Sequence, residues 1–399
     1  MTANGLLAEI SEVGRDARRG GYSRHVFDGA ELELRDWFTE QAARRGLDVT
    51  TDRNGNIWAW WGRPGSGAVV TGSHLDSVPG GGAFDGPLGV TSALAAVDIL
   101  RAKGFTPTKP LALLVFAEEE GGRFGVPCLG SRLLTGAIDA DRARGLRDAA
   151  GITFAEAAAE AGQDPARFGA DPAALAGIGC FVELHVEQGR GLIDLDSPVA
   201  TGSSIIAHGR YRFSFTGQGN HAGATRMPDR HDPMLPAAAV IAAARRVAAA
   251  TDDARATVGK LIPTPGGTNV IASTVDLWLD ARVAGDGRTA ALVEDIAGFA
   301  REAAAAEGCD ITVTEESYSG DVVFDETLRD RMDAVLGGVP TLPTGAGHDA
   351  GILAAHVPAG MLYVRNPTGI SHAPQEYSEP ADVDFGAESL ARVLEELAK

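Results

Sequence analysis

Three short apolar runs in this chain each meet a residue that a protein core rejects. Residues 68–73 (Ala-Val-Val-Thr-Gly-Ser) lead into His74, and residues 111–117 lead into Glu118, Glu119 and Glu120. Residues 180–186 carry Glu183 and His185 and lead into Glu187. The first two runs, short and apolar on both sides, read as strands buried on both faces, which is the situation of a parallel sheet covered by helices. Helical spacing over 31–45, ending near Gly46, and over 88–103, closed by Gly104, supplies such helices. Strand-like runs at 47–51 and 56–61 lie between them. The expected fold is α/β, with a mostly parallel sheet flanked by helices. In such folds ligands bind beyond the carboxyl ends of the strands, where His74, Glu119 and Glu120 fall.

A second pattern begins near residue 207. Residues 210–216 alternate like a half-exposed strand, a helix follows over about 232–250, strands at 256–262 and 270–283, a helix at about 288–306 and a strand at 310–314. The order β-α-β-β-α-β is that of a ferredoxin-like α+β unit. The chain is therefore expected to divide into a catalytic domain of residues 1–206 and 318–399 and an inserted domain of residues 207–317. The stretch 138–178, rich in alanine, reads as helical, and a strand is expected at 360–365.

Charge and cysteine use narrow the function. Lys and Arg number 35 against 54 Asp and Glu, a net charge of −19 that argues against nucleic acid and anionic membrane as partners. No apolar stretch approaches the roughly 20 residues of a membrane span, and the N-terminus carries no secretory pattern. Cys128, Cys180 and Cys309 are scattered and odd in number, so neither a disulfide framework nor a thiolate zinc site is expected. A reducing, cytoplasmic location fits.

Four segments concentrate the chemistry. His74 and Asp76, two apart at a strand end, face one side, so the Asp76 carboxylate is expected to orient the His74 ring. Asp85 follows on the loop of Gly80, Gly81 and Gly82, whose backbone freedom lets a carboxylate reach between two cations. An acidic triplet is ordinarily a solvated charge run; the buried strand leading into 118–120 argues that cations neutralise this one, with neighbouring acids free to divide the roles of ligand and base. Alternation places Glu183, His185 and Glu187 on one strand face. His372, in a Gly/Ser/Pro loop after the 360–365 strand, closes the set at the same edge. Histidine and carboxylate donors without thiolate suit zinc or manganese, and two ions sharing one carboxylate suit hydrolysis.

At this point the residues resemble a known group. His74-x-Asp76 with Asp85-Gly86, the Glu-Glu-Gly-x-Arg-Phe run from Glu119 to Phe124, the Glu-Leu-His-Val-Glu-Gln-Gly run from Glu183 to Gly189, Asn220-His221-Ala222-Gly223, the run from Gly345 to Asp349, and Ser371-His372 occur in the order seen in the M20-type amidase and carbamoylase group. Its members include allantoate amidohydrolases, N-carbamoyl-L-amino acid hydrolases and β-ureidopropionases, and the likeness spans essentially the whole chain. It implies His74, Asp85, Glu120, His185 and His372 as ligands of two divalent ions (zinc or manganese, with cobalt or nickel tolerated), Asp85 bridging. It implies Glu119 as general base and Asp76 as the residue behind His74. Related aminopeptidases usually place a carboxylate at the position of His185, so the histidine favours the amidase branch.

The resemblance further implies that the inserted domain is a lid and dimerisation domain. His221 would reach the neighbouring subunit's site in a homodimer and stabilise the oxyanion. Asn269 and Arg282 would hold the substrate carboxylate, and Gln188 the ureido or carboxylate group. His348 and Asp349 would shape the site without binding metal. The chain departs from the group's pattern at Ala224-Thr225-Arg226-Met227 and across residues 264–272, both in the substrate-reading domain. The expected activity is hydrolysis of the C–N bond of a small ureido acid, allantoate or an N-carbamoyl-L-amino acid. The N-terminal half looks most like sequences labelled allantoate amidohydrolase. A di-zinc exopeptidase or N-acyl amino acid deacylase is the alternative.

Overall fold

Six consecutive apolar residues, Leu111–Phe116, have no face to offer water, and the chain buries the whole strand. A computed structural model, describing residues 1–285 and 287–399, sets it beside Ala68–His74, which is buried along its full length. Ala68–His74 runs parallel to Leu111–Phe116 on one side and to Ile178–Val186 on the other, and Ala359–Val364 runs parallel to Ile178–Val186. Antiparallel strands extend this centre: Ile57–Trp61 and then Asp48–Thr51 at one edge, Val199–Ile205 at the other, where Thr341–Thr344 and Val322–Val323 also pair. The sheet is mixed and mainly parallel, as expected. His74 lies in register with Phe116, so the residues following both strands emerge at one edge.

Helix Pro87–Ala102 packs on the central strands and on Pro380–Leu397. Proline at its first position presets the helical φ and gives up an N–H that no carbonyl would have met. The core here joins Leu34, Phe38, Leu94, Leu113, Val182, Leu362 and Leu390.

The chain divides into two compact units, Met1–Ser204 with Val323–Lys399, and Ile205–Val322. The second is a four-stranded antiparallel sheet in the order Asp310–Ser319, His208–Thr216, Thr274–Arg282, Arg255–Thr264. Phe213, Phe215, Leu277 and Leu279 form one buried face with Val240, Ala244, Leu292 and Ile296 from helices Met234–Ala249 and Arg288–Glu307. This is the ferredoxin-like arrangement.

Two expectations change in detail. The 138–178 stretch breaks into short helices at Ala140–Gly145, Phe154–Glu160 and Pro172–Gly177 with a single 3-10 turn between, because Asp139, Thr153 and Asp171 each cap a new start by accepting a backbone N–H. The expected 270–283 strand is two: Val270–Ile271 leaves the main sheet to pair with Asn220–His221. Among the described residues no helix is long and apolar enough to cross a membrane.

Candidate metal centre

His74 closes its strand fully buried, with Nδ1 3.0 Å from the backbone oxygen of Asp76; His185 Nδ1 lies 2.9 Å from the backbone oxygen of Val186. A carbonyl only accepts, so in the neutral ring each Nδ1 carries the proton and each Nε2 presents a lone pair. Both meet one atom: Asp85 Oδ1 is 3.5 Å from His74 Nε2 and 3.2 Å from His185 Nε2. Three acceptors facing one another in a buried space repel unless a cation lies among them, and His74 Nε2 has no hydrogen-bond partner. The other oxygen of Asp85, Oδ2, is 3.4 Å from His372 Nε2, which is 3.3 Å from Glu120 Oε2. The ligand atoms of His74, Asp85 and His185 lie within 4.8 Å of one another, as do those of Asp85, Glu120 and His372. Asp85 belongs to both groups. Imidazole and carboxylate donors without thiolate fit divalent ions such as zinc or manganese.

Local sequence explains the placement. Gly86 has φ +83°, and a Cβ there would sit 2.5 Å from the His74 ring, so only glycine lets Asp85 approach the histidine this closely. His372 and Glu118 also take positive φ, 55° and 53°, a strained backbone for residues with side chains and common at working sites. The acidic triplet divides three ways. Glu118 turns inward, Oε1 accepting from the Arg123 and Phe124 amides at 3.0 and 2.7 Å, and burial with Asp76 nearby pushes it up to about 8. Glu120 joins a ligand group. Glu119 belongs to neither: its Oε2 is 3.5 Å from His74 Nε2 and its Oε1 is 3.4 Å from Cys128 Sγ.

Asp76 behaves differently from expectation. Its backbone oxygen, not its carboxylate, receives His74 Nδ1–H; the carboxylate accepts the amides of Glu119 and Glu120, both at 3.1 Å, while Oδ1 stays 3.7 Å from the ring. Those two amides would otherwise be buried without an acceptor, so the aspartate fixes the Glu119–Glu120 backbone and the histidine together.

Charge in the cluster seeks a cation. Burial works against an imidazolium at His74, yet Glu119, Asp85 and Asp76 outweigh it and hold its pKa well above the ordinary value. His185 rises likewise, burial being overcome by Asp85. Burial opposes ionisation of Asp85, but His185 and His74 keep its pKa well below the carboxylate range. Burial pushes Glu119 and Glu120 well up, with nearby Asp349 and Asp85 adding to the effect.

The remaining expected residues fall in two places. Gln188 joins the cluster, its amide donating to Asp85 Oδ2 at 2.9 Å and Ser371 Oγ at 3.0 Å. Glu187 instead caps the turn at Gly191 and Leu192. His221, Asn269 and Arg282 lie in the second unit. His221 is exposed, its Nδ1 accepting from the Gly223 and Ala224 amides at 3.1 and 3.2 Å, which leaves the proton on Nε2. Exposed Asn269 accepts the Ala222 amide through its backbone oxygen. Arg282 forks onto Asp280, at 2.6 and 2.9 Å.

One contributor, Glu376, carried no assigned role in the sequence reading. Glu376 accepts the amides of Phe84 and Asp85; Asp349 accepts Ser131 Oγ; the His348 ring lies 4.5 Å from that of His185. Glu376 stands four residues after His372, but an acid in a polar loop looks solvated, and its partners lie 291 and 292 residues away.

The chain is similar to known proteins over nearly its whole length. The model of the peptidase family M20/M25/M40 matches residues 70–396. An N-carbamoyl-L-amino acid amidohydrolase of Geobacillus stearothermophilus is 36% identical, covering 98% of this chain and 97% of its own. An allantoate amidohydrolase of Bacillus subtilis is 31% identical over 92% of each. A crystal structure of an amidase of the hydantoinase/carbamoylase family from Burkholderia vietnamiensis superposes with a TM-score of 0.87 at 29% identity, covering 99% of this chain and 96% of that one.

Proposed function

Because the chain belongs to the peptidase family M20/M25/M40, we propose that it is a two-metal amidohydrolase that cleaves the ureido C–N bond of a small ureido acid, an N-carbamoyl-L-amino acid or allantoate. The observation that carries the reading is Asp85, one carboxylate shared by two groups of side chains that could each hold a metal ion. His74 and His185 would hold one ion with Asp85, and Glu120 and His372 the other. Such ions, when bound, polarise the scissile carbonyl and lower the pKa of water.

The chain's own residues carry the proton and the substrate. Glu119 stands beside His74 without belonging to either ligand group. Cys128 holds its Oε1, which leaves Oε2 to take the proton of the attacking water. The C–O bond forms, the proton passes from Oε2 to the leaving nitrogen, and the C–N bond breaks. The released carbamate decomposes to ammonia and carbon dioxide. Nε2–H of His221, its tautomer set by two backbone amides, is suited to donate to the developing oxyanion. We assign the unit Ile205–Val322 as a lid and dimerisation domain in which His221 serves the neighbouring subunit of a homodimer. Asn269 and Arg282 take the substrate carboxylate, Arg282 exchanging Asp280 for it, and Gln188 contacts the ureido end.

The test is ammonia release from allantoate and a panel of N-carbamoyl-L-amino acids by chelator-stripped protein reloaded with manganese or zinc. Turnover of either class supports the reading and names the substrate. Silence on both, with hydrolysis of dipeptides or N-acyl amino acids, would move the chain to the peptidase or deacylase branch.

A further inference from the structure

The loop that delivers Asp85 has little stiffness of its own, one internal hydrogen bond joining the Gly81 amide to the Val78 carbonyl at 3.0 Å. Gly80, Gly81 and Gly82 precede it, and consecutive glycines give the unbound backbone its widest freedom. Something outside the loop must hold the shared carboxylate in place. On one side Tyr22 exchanges two backbone hydrogen bonds with Gly81, at 2.9 and 3.0 Å, which fixes the start of the loop but not its end.

The end is held by Glu376. This side chain is 4% exposed, and its Oε1 accepts the Phe84 amide at 3.0 Å and the Asp85 amide at 2.9 Å. Its Oε2 lies 3.1 Å from Ser371 Oγ, which is also 3.2 Å from Asp85 Oδ2. One glutamate thus grips the backbone of Asp85, and Ser371 stands between the two carboxylates, its one hydroxyl hydrogen serving either Glu376 or Asp85. The next residue adds a clamp, the Tyr377 ring meeting Phe84 edge-on at 6.1 Å. Gly82 makes room: a Cβ there would lie 2.2 Å from Glu376 Oε1. Glycine at 82 and glutamate at 376 are two halves of one fitting.

We propose that Glu376, with Ser371, is the positioning residue for Asp85, setting the affinity of both metal sites at once without touching either ion. The inference rests on the reading of Asp85 as the shared ligand. Because Asp85 belongs to both groups, a fault in its placement weakens both, whereas loss of Glu120 or His74 touches one.

The experiment is calorimetric titration of chelator-stripped full-length protein with manganese(II), alongside the melting temperature of the metal-free form. Glu376→Ala is expected to weaken both equivalents together, by about 10- to 100-fold, the range seen when a partner behind a metal ligand is removed. Glu376→Gln keeps an oxygen acceptor for the Phe84 and Asp85 amides and should recover most of the loss. A merely structural role would lower the melting temperature and leave the isotherm alone. An unchanged isotherm in Glu376→Ala, or loss of one equivalent only, overturns the proposal. If that variant does not fold, Gly82→Ala replaces it, since the added methyl displaces Glu376 Oε1, and an unchanged isotherm there is equally fatal. Wild-type protein that binds no manganese would bring down the two-metal reading and this inference with it; wild-type protein that binds two, beside an unaffected variant, brings down this inference alone.

Discussion

Glu119→Gln separates chemistry from metal binding. The side chain is outside both ligand groups, so the variant should hold both ions. Volume is unchanged, and the amide oxygen can still accept Cys128 Sγ–H, 3.4 Å away in the parent. Burial, with Asp349, Glu120 and Glu183 adding to it, disfavours the charge of this carboxylate more than His74 favours it, so a neutral amide should not lower the melting temperature of the metal-free protein. On the proposed mechanism, what disappears is the proton acceptor. General-base catalysis contributes about 10²- to 10⁴-fold, which at about 1.36 kcal/mol per decade is roughly 2.7–5.4 kcal/mol of barrier. The assay is ammonia release at saturating substrate with metal content measured on the same sample. The variant should show two bound ions and kcat reduced by at least about 100-fold. Two bound ions with kcat near that of the parent would refute the assignment of the base; a lost ion would make Glu119 a ligand.

Other consequences are open to measurement. If His221 serves the partner subunit, mixing inactive Glu119→Gln and His221→Ala proteins under exchange restores about a quarter of the parent activity, because random pairing puts one intact site in half the dimers; no recovery after verified exchange removes the cross-subunit role. Manganese at about 100 times its Kd should add about 2.7 kcal/mol of stability per site, seen as a higher melting temperature that chelator reverses. Phe181, fully buried and edge-on to Phe116 at 5.7 Å, should cost about 3–5 kcal/mol on replacement by alanine, read by denaturant unfolding.

Much of the site was legible because chemistry interrupts apolar runs. His74, Glu119, Glu120 and His185 stand where buried strands end or alternate, and parallel pairing carries them to one edge. What escaped was set by partners distant in sequence or by backbone atoms. Nothing local to Glu376 says that it meets the Asp85 amide, and the geometry at Asp76 turned on a carbonyl that every residue has. The strand Val199–Ile205 carries Thr201, Gly202, Ser203 and Ser204 in place of an apolar run, so periodicity passes over it. The alanine-rich 138–178 stretch misled the other way: alanine favours helix everywhere, and the capping residues Asp139, Thr153 and Asp171 were the finer signal. Arg282 and Asp280 lie two apart on one face of a strand, a pairing that alternation alone would have suggested.

The most direct test is a titration of chelator-stripped protein with manganese in which bound metal and ammonia release from the ureido substrate are followed together. Two groups sharing Asp85 predict that activity rises to its plateau at two equivalents per chain. Full activity at one equivalent, or turnover by metal-free protein, would contradict the account.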